Sequence, residues 1–159
     1  MNKKESELIR LAIECADVTV AENAGGPFGA AVITPDGQVV VASNTVLRSK
    51  DPTCHAEVNV IRKACALLDT HDLTGCILYT TCYPCPMCLS ACIWANIKEV
   101  YYGADPEDAA KIGFRDSYIY DFIKGDNKDK SVLNLLQIED TSPCVKMFAR
   151  YAENNKTMY

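Results

Sequence analysis

The sequence predicts an α/β fold, a sheet with helices packed on both faces. Short apolar, β-branched runs alternate with longer segments of helical period, and proline or glycine marks most boundaries between them. The middle of the chain runs strand, helix, strand, helix, strand, an order that demands right-handed crossovers. At 159 residues, 48% hydrophobic and 23% charged, the chain reads as one globular domain spanning 1–159. A chain of this length buries about 68–70% of its unfolded surface and needs no disulfides to hold a core.

Asn2 followed by Glu5 resembles a capping box, and Leu8, Ala12, Cys15, Ala16 and Val20 then share one helical face, which Gly25-Gly26-Pro27 ends. Ala30–Thr34 and Val39–Ser43 flank Pro35-Asp36-Gly37, a turn in which Pro presets φ and Gly accepts φ > 0, so the two strands form an antiparallel hairpin. Asp51-Pro52 opens a helix to about Leu68. Cys76–Thr80 is the next strand, Pro84 and Pro86 start a helix to about Ala95, and Lys98–Tyr102 is a strand. Glu107–Lys111 and Tyr118–Lys124 are short helices, Gly125–Lys130 is a polar loop, and Val132–Ile138 is a candidate fifth strand. Ser142-Pro143 starts a last helix carrying Val145, Phe148, Ala149 and Ala152 on one face.

Composition excludes several roles. Sixteen basic against 21 acidic side chains leave a net charge of −5, which disfavours nucleic-acid binding, since phosphates dominate that affinity. No apolar run has the length of a membrane helix, and Glu7, Arg10 and Glu14 interrupt any signal-peptide segment. Nine cysteines, an odd number without a secretion signal, read as reduced thiols of a cytoplasmic protein. Cys15, Cys54, Cys65, Cys76 and Cys144 are scattered and read as small core side chains.

Two segments carry chemistry: His55-Ala56-Glu57 and Pro84-Cys85-Pro86-Met87-Cys88. H-x-E with P-C-x-x-C is the signature of zinc deaminases. Cys85 and Cys88, three apart at a helix start, share a face and can ligate one ion as thiolates. His55 and Glu57 lie about 200° apart around a helix, so both serve one site only where that helix meets it end-on. Two helix starts then converge on one Zn²⁺ per subunit, held by His55, Cys85 and Cys88, with a fourth position for water whose pKa falls to ~7. Glu57 would take that water's proton and deliver it to the ring nitrogen and the leaving amine. The alternative is an all-thiolate structural site that adds Cys82 and Cys92; it leaves His55-Ala56-Glu57 unexplained. His71, beside Asp72 in a turn, reads as solvated.

At these residues the chain resembles the cytidine deaminase-like superfamily, and within it the bacterial guanine deaminase branch. The likeness runs through Gly25-Gly26-Pro27-Phe28-Gly29-Ala30, Asp51-Pro52-Thr53-Cys54-His55-Ala56-Glu57, Cys82-Tyr83-Pro84-Cys85-Pro86-Met87-Cys88, Trp94-Ala95 and Gly113-Phe114-Arg115-Asp116-Ser117. It implies a three-layer α/β/α sandwich with a five-stranded mixed sheet. It also implies a homodimer in which about 140–159 crosses to the neighbour, and conversion of guanine to xanthine and ammonia. Carried over, Phe28 and Trp94 bound the flat base, Asn44 bonds its ring edge, and Ala56 offers its backbone N–H. Asp116 contacts the amino edge and assists proton movement, and Tyr159 enters from the partner chain. The alternative substrates are a tRNA adenosine, or a related base, nucleoside or aminotriazine. Tyr83 and Cys54 depart from the family pattern, which often has Glu and Ala there; neither is a ligand position.

Overall fold

The computed structural model describes residues 3–114 and 116–153. They fall into two compact units, 1–116 and 117–159. The first contains helix α1 (Lys3–Ala21), hairpin strands β1 (Gly29–Ile33) and β2 (Val39–Ser43), and helices α2 (Val46–Ser49) and α3 (Ala56–Leu68). Strand β3 (Ile77–Cys82), helix α4 (Pro86–Trp94), strand β4 (Glu99–Ala104) and helix α5 (Pro106–Lys111) complete it. The second contains α6 (Ser117–Lys124) and α7 (Ser142–Glu153).

The strands form one mixed sheet in the order β2-β1-β3-β4. β1 runs antiparallel to both β2 and β3, and β3 runs parallel to β4. Strand β1 is buried along its whole length because alternate side chains enter two cores. Ala30 and Val32 join Val60, Ala64 and Leu78 under α3 and α4. Ala31 and Ile33 join Leu8 of α1 and Tyr79 of β3. Helix α1 thus covers one face, and α3 and α4 the other, which is the expected three-layer sandwich.

The sheet has four strands, not five. Residues 132–138 form no strand, and Val132, Leu133, Leu135, Leu136 and Ile138 are exposed. Their apolar pairs 132/133 and 135/136 break the period of two, and the Asp129 carboxylate accepts the Ser131 N–H and Oγ–H just before them, a local turn in place of ladder pairing. Two further boundaries differ from expectation. Helix α1 ends at Ala21, before the glycines, with Asn23 at φ 51°, a conformation Asn tolerates. Helix α3 begins at Ala56 rather than at Asp51-Pro52, because the Asp51 carboxylate accepts the Thr53 N–H and Oγ–H in a turn of its own. Asn2 lies outside the described residues. All nine cysteines are free thiols, and Cys144 is exposed rather than part of a core.

Candidate active site

Residues from three strand ends meet at one end of the sheet. β2 and β3 leave the sheet there and β1 enters it, so the loops before α3 and α4 face one another. His55 is the N-cap of α3 and Cys85 the N-cap of α4, with Pro86 in the first turn of α4. Both helices therefore point at the site end-on, and the two residues of His55-x-Glu57 reach it together.

Cys85 Sγ, Cys88 Sγ and His55 Nδ1 stand 3.6 Å from one another along all three edges. A tetrahedral zinc with bonds of 2.3 Å to sulfur and 2.0–2.1 Å to nitrogen separates its ligand atoms by about 3.6–3.8 Å. The residues therefore fit a zinc ion in chemistry and in spacing. The cluster comprises three ligating side chains among the described residues, the number typical of a catalytic rather than a structural zinc. Cys82 does not complete a four-thiolate site: its Sγ meets the Asp105 carbonyl at 3.8 Å.

The Cys88 thiol, through its hydrogen bond to Cys85, together with the His55 ring, lowers Cys85 to about 4. The same shared proton, followed by burial, pushes Cys88 far up. The Cys85 hydrogen bond raises His55. Burial pushes the Cys92 thiol to about 12.

Glu57 is 6% exposed. Its Oε1 accepts the Thr80 hydroxyl at 3.0 Å, and its Oε2 lies 3.4 Å from Cys88 Sγ. Burial raises its carboxyl above the ordinary range.

Above this floor lies a pocket of about 370 Å³ walled by Gly25, Phe28, Asn44, Val46, Phe114 and Asp116, with His55, Glu57 and Cys85 at its base. That is at the small end of ligand pockets, which run from ~300 to 1,000 Å³. Phe28 and Phe114 meet edge to face, 4.9 Å between centroids. Asn44 Oδ1 accepts the N–H groups of Gly26 and Val46, each at 3.2 Å. These two bonds fix the amide and leave its NH₂ as the donor to offer a ligand. Burial, then the nearby Cys85, raises the Asp116 carboxyl.

The structure thus brings together His55, Cys85, Cys88, Glu57, Phe28, Asn44 and Asp116. Ala56 is fully buried at the first turn of α3. Trp94, the last residue of α4, is 68% exposed and does not line the pocket of the first unit. Tyr159 and Arg115 lie outside the described residues. Tyr83 lines the pocket and packs edge-on against Tyr102. Phe114 and Thr80 were not singled out as site residues from sequence. Phe114 sits in a segment already tied to the site, and Thr80 is a hydroxyl at a core position of β3.

The family described as cytidine and deoxycytidylate deaminase zinc-binding region matches residues 2–104. Guanine deaminase of Bacillus subtilis is 47% identical over 125 residues, covering 78% of this chain and 80% of the relative. The X-ray structure of guanine deaminase from the same organism superposes with a TM-score of 0.87 at 41% identity, covering 100% of this chain and 99% of the other. A tRNA-specific adenosine deaminase of Agrobacterium fabrum is 45% identical over 86 residues, covering 53% of this chain and 56% of the relative. With three ligand atoms set for zinc and a buried glutamate beside them, the chain belongs to the zinc-dependent cytidine and deoxycytidylate deaminase family.

Proposed function

We propose that this protein hydrolyses guanine to xanthine and ammonia. The observation that carries the reading is Glu57, a buried carboxyl beside the His55–Cys85–Cys88 triangle at the floor of a small, flat-walled pocket. The likeness to guanine deaminase over the full chain supplies the substrate.

Zinc, when bound by His55, Cys85 and Cys88, lowers the pKa of a water to ~7 and so supplies a nucleophile at neutral pH. The remaining steps belong to the chain. Phe28 lies against the ring face, the Asn44 NH₂ and the Ala56 N–H hold its edge, and Asp116 receives the amino side. Glu57 takes the proton of the attacking water and returns it to the ring nitrogen beside C2. Glu57 then carries the proton of the hydroxyl now on C2 to the amine, so that the C–N bond breaks and ammonia leaves as the carbonyl forms. Phe28, Val46 and Phe114 form an apolar wall of the pocket, and Tyr159 closing it would leave little room for a ribose.

The functional unit is a homodimer in which about 140–159 exchanges and Tyr159 closes the partner's pocket. The exposed Val145, Met147, Phe148 and Tyr151 of α7 support it, as an apolar face suited to a second copy. The nine free thiols fit a cytoplasmic setting for this purine breakdown. A tRNA adenosine deaminase is the alternative; a likeness that falls to 27% identity where it spans 98% of the chain, against 47% over 78% for guanine deaminase, and the charge of −5 weigh against it.

The test is ultraviolet conversion of guanine by zinc-loaded protein, with cytosine, guanosine, adenine, ammeline and a tRNA substrate alongside. Glu57→Gln should keep zinc and lose about 10²–10⁴-fold in kcat. Full guanine turnover by that zinc-loaded variant would overturn the role of Glu57. Turnover of another amine with none of guanine would overturn the substrate.

A further inference from the structure

Thr80 occupies a position of β3 where the pattern calls for an apolar side chain. Leu78 on the same face is fully buried in the core, and Thr80 is itself 1% exposed. Thr has the shape of Val plus one polar atom. That atom, Oγ1, lies 3.0 Å from Glu57 Oε1 and 3.5 Å from the Gly29 carbonyl. The strand that carries it is central, and the Thr80 backbone is paired with β1 on one side and β4 on the other, which fixes the point from which the hydroxyl projects.

We propose that Thr80 is a positioning residue for the deamination, holding the Glu57 carboxyl through Oε1 so that Oε2 stays turned toward the ligand cluster. The inference rests on reading Glu57 as the proton shuttle. A carboxyl that takes and returns a proton alternates between accepting and donating. A hydroxyl serves both states. It donates to Oε1 of the carboxylate, and it keeps donating there when Oε2, the oxygen turned toward the ligand cluster, carries the proton. Neither the orientation of the carboxyl nor a hydrogen-bonded partner is lost during the cycle. A valine would fill the same volume and do neither.

The test compares Thr80→Val and Thr80→Ser with the unmodified protein, reading kcat and KM for guanine, bound zinc and the thermal midpoint. Loss of a hydrogen bond to a charged group predicts a kcat roughly ten- to a hundredfold lower in Thr80→Val, with KM within about twofold and zinc retained. Thr80→Ser, which keeps the hydroxyl, should recover to within a few-fold of the unmodified kcat. Unchanged kcat in Thr80→Val overturns the proposal. So does an equal loss in both variants, because the hydroxyl would not be the cause. A failure of the underlying reading looks different: Glu57→Gln would then retain turnover, and the role of Thr80 would fall with it.

Discussion

Gly25→Ala tests the link between the loop before β1 and the Asn44 amide, to which we assign the base. An added Cβ would stand 2.0 Å from the Asn44 carbonyl oxygen, 2.6 Å from its carbon and 2.6 Å from Oδ1. Ordinary contact begins at 3.4 Å, so the two backbones must part by more than about 1 Å. Asn44 cannot yield easily, since its N–H donates to the Phe28 carbonyl at 2.9 Å and it directly follows β2. The glycine loop moves instead, and the Gly26 N–H bond to Oδ1, already 3.2 Å, breaks.

Overpacking costs about 1–3 kcal/mol and the lost bond about 0.5–1.5 more. A total near 2–4 kcal/mol lowers Tm by roughly 4–16 °C in a chain of this size. With one of its two tethers gone, the Asn44 amide no longer holds its orientation, and KM for guanine should rise about tenfold with a smaller change in kcat. Bound zinc should not change, because all three ligands lie on other elements. Calorimetry, initial-rate kinetics and zinc analysis read the three quantities. An unmodified Tm would refute the packing argument; a lowered Tm with unmodified KM would refute the role given to Asn44.

Zinc loading should weaken as pH falls. Cys85, at about 4, is already a thiolate at neutral pH, whereas Cys88 is pushed up and must release its proton to solvent to bind the ion. Affinity then drops about tenfold per pH unit for each proton released, and more steeply where His55, whose pKa is raised, also carries one. Competition against a chelator at pH 6, 7 and 8 measures it, and a flat profile refutes it. Phe114→Ala should remove the edge-to-face contact with Phe28, worth about 0.5–1.5 kcal/mol, and raise KM for guanine by roughly 2–10-fold. It should also admit guanosine; a variant that still rejects the nucleoside would show that the Phe114 ring is not what excludes ribose.

Much of the fold was legible where single residues carry a mechanism. Pro35-Asp36-Gly37 announced the hairpin, and Pro86 placed the start of α4. The His55–Cys85–Cys88 cluster was legible because the spacing of His55 and Glu57, useless in mid-helix for one shared site, makes sense beside the Cys85 and Cys88 pair once both lie at helix starts. Asp51 misled because an acceptor before Pro serves equally as a helix cap or as the anchor of a turn with Thr53, and only the tertiary position of His55 decides between them. Residues 132–138 misled because an apolar run resembles a strand whether or not a partner edge exists. Trp94 was expected at the pocket on resemblance alone, since nothing local tells which way the last residue of a helix faces.

The two N-caps expose what the site costs. Ser, Thr, Asp and Asn cap helices best, yet α3 and α4 begin with His55 and Cys85, and neither side chain makes a cap hydrogen bond. The positions that would best stabilise each helix start are occupied by two of the three residues that could hold a metal ion. His55→Ser should therefore change stability in opposite directions in the two forms of the protein. With zinc removed by chelation, a serine cap adds about 0.5–2 kcal/mol, since the His55 ring is half-buried and leaves little cavity, and Tm rises by roughly 1–8 °C. With zinc in excess, the variant loses a ligand and falls below the unmodified protein. Thermal scans of both proteins with and without chelator decide it. A metal-free variant less stable than its parent would mean that His55 already stabilises the start of α3 without the ion. The crossing of the two curves is expected because a bound ion, rather than a cap, would hold those helix starts in place.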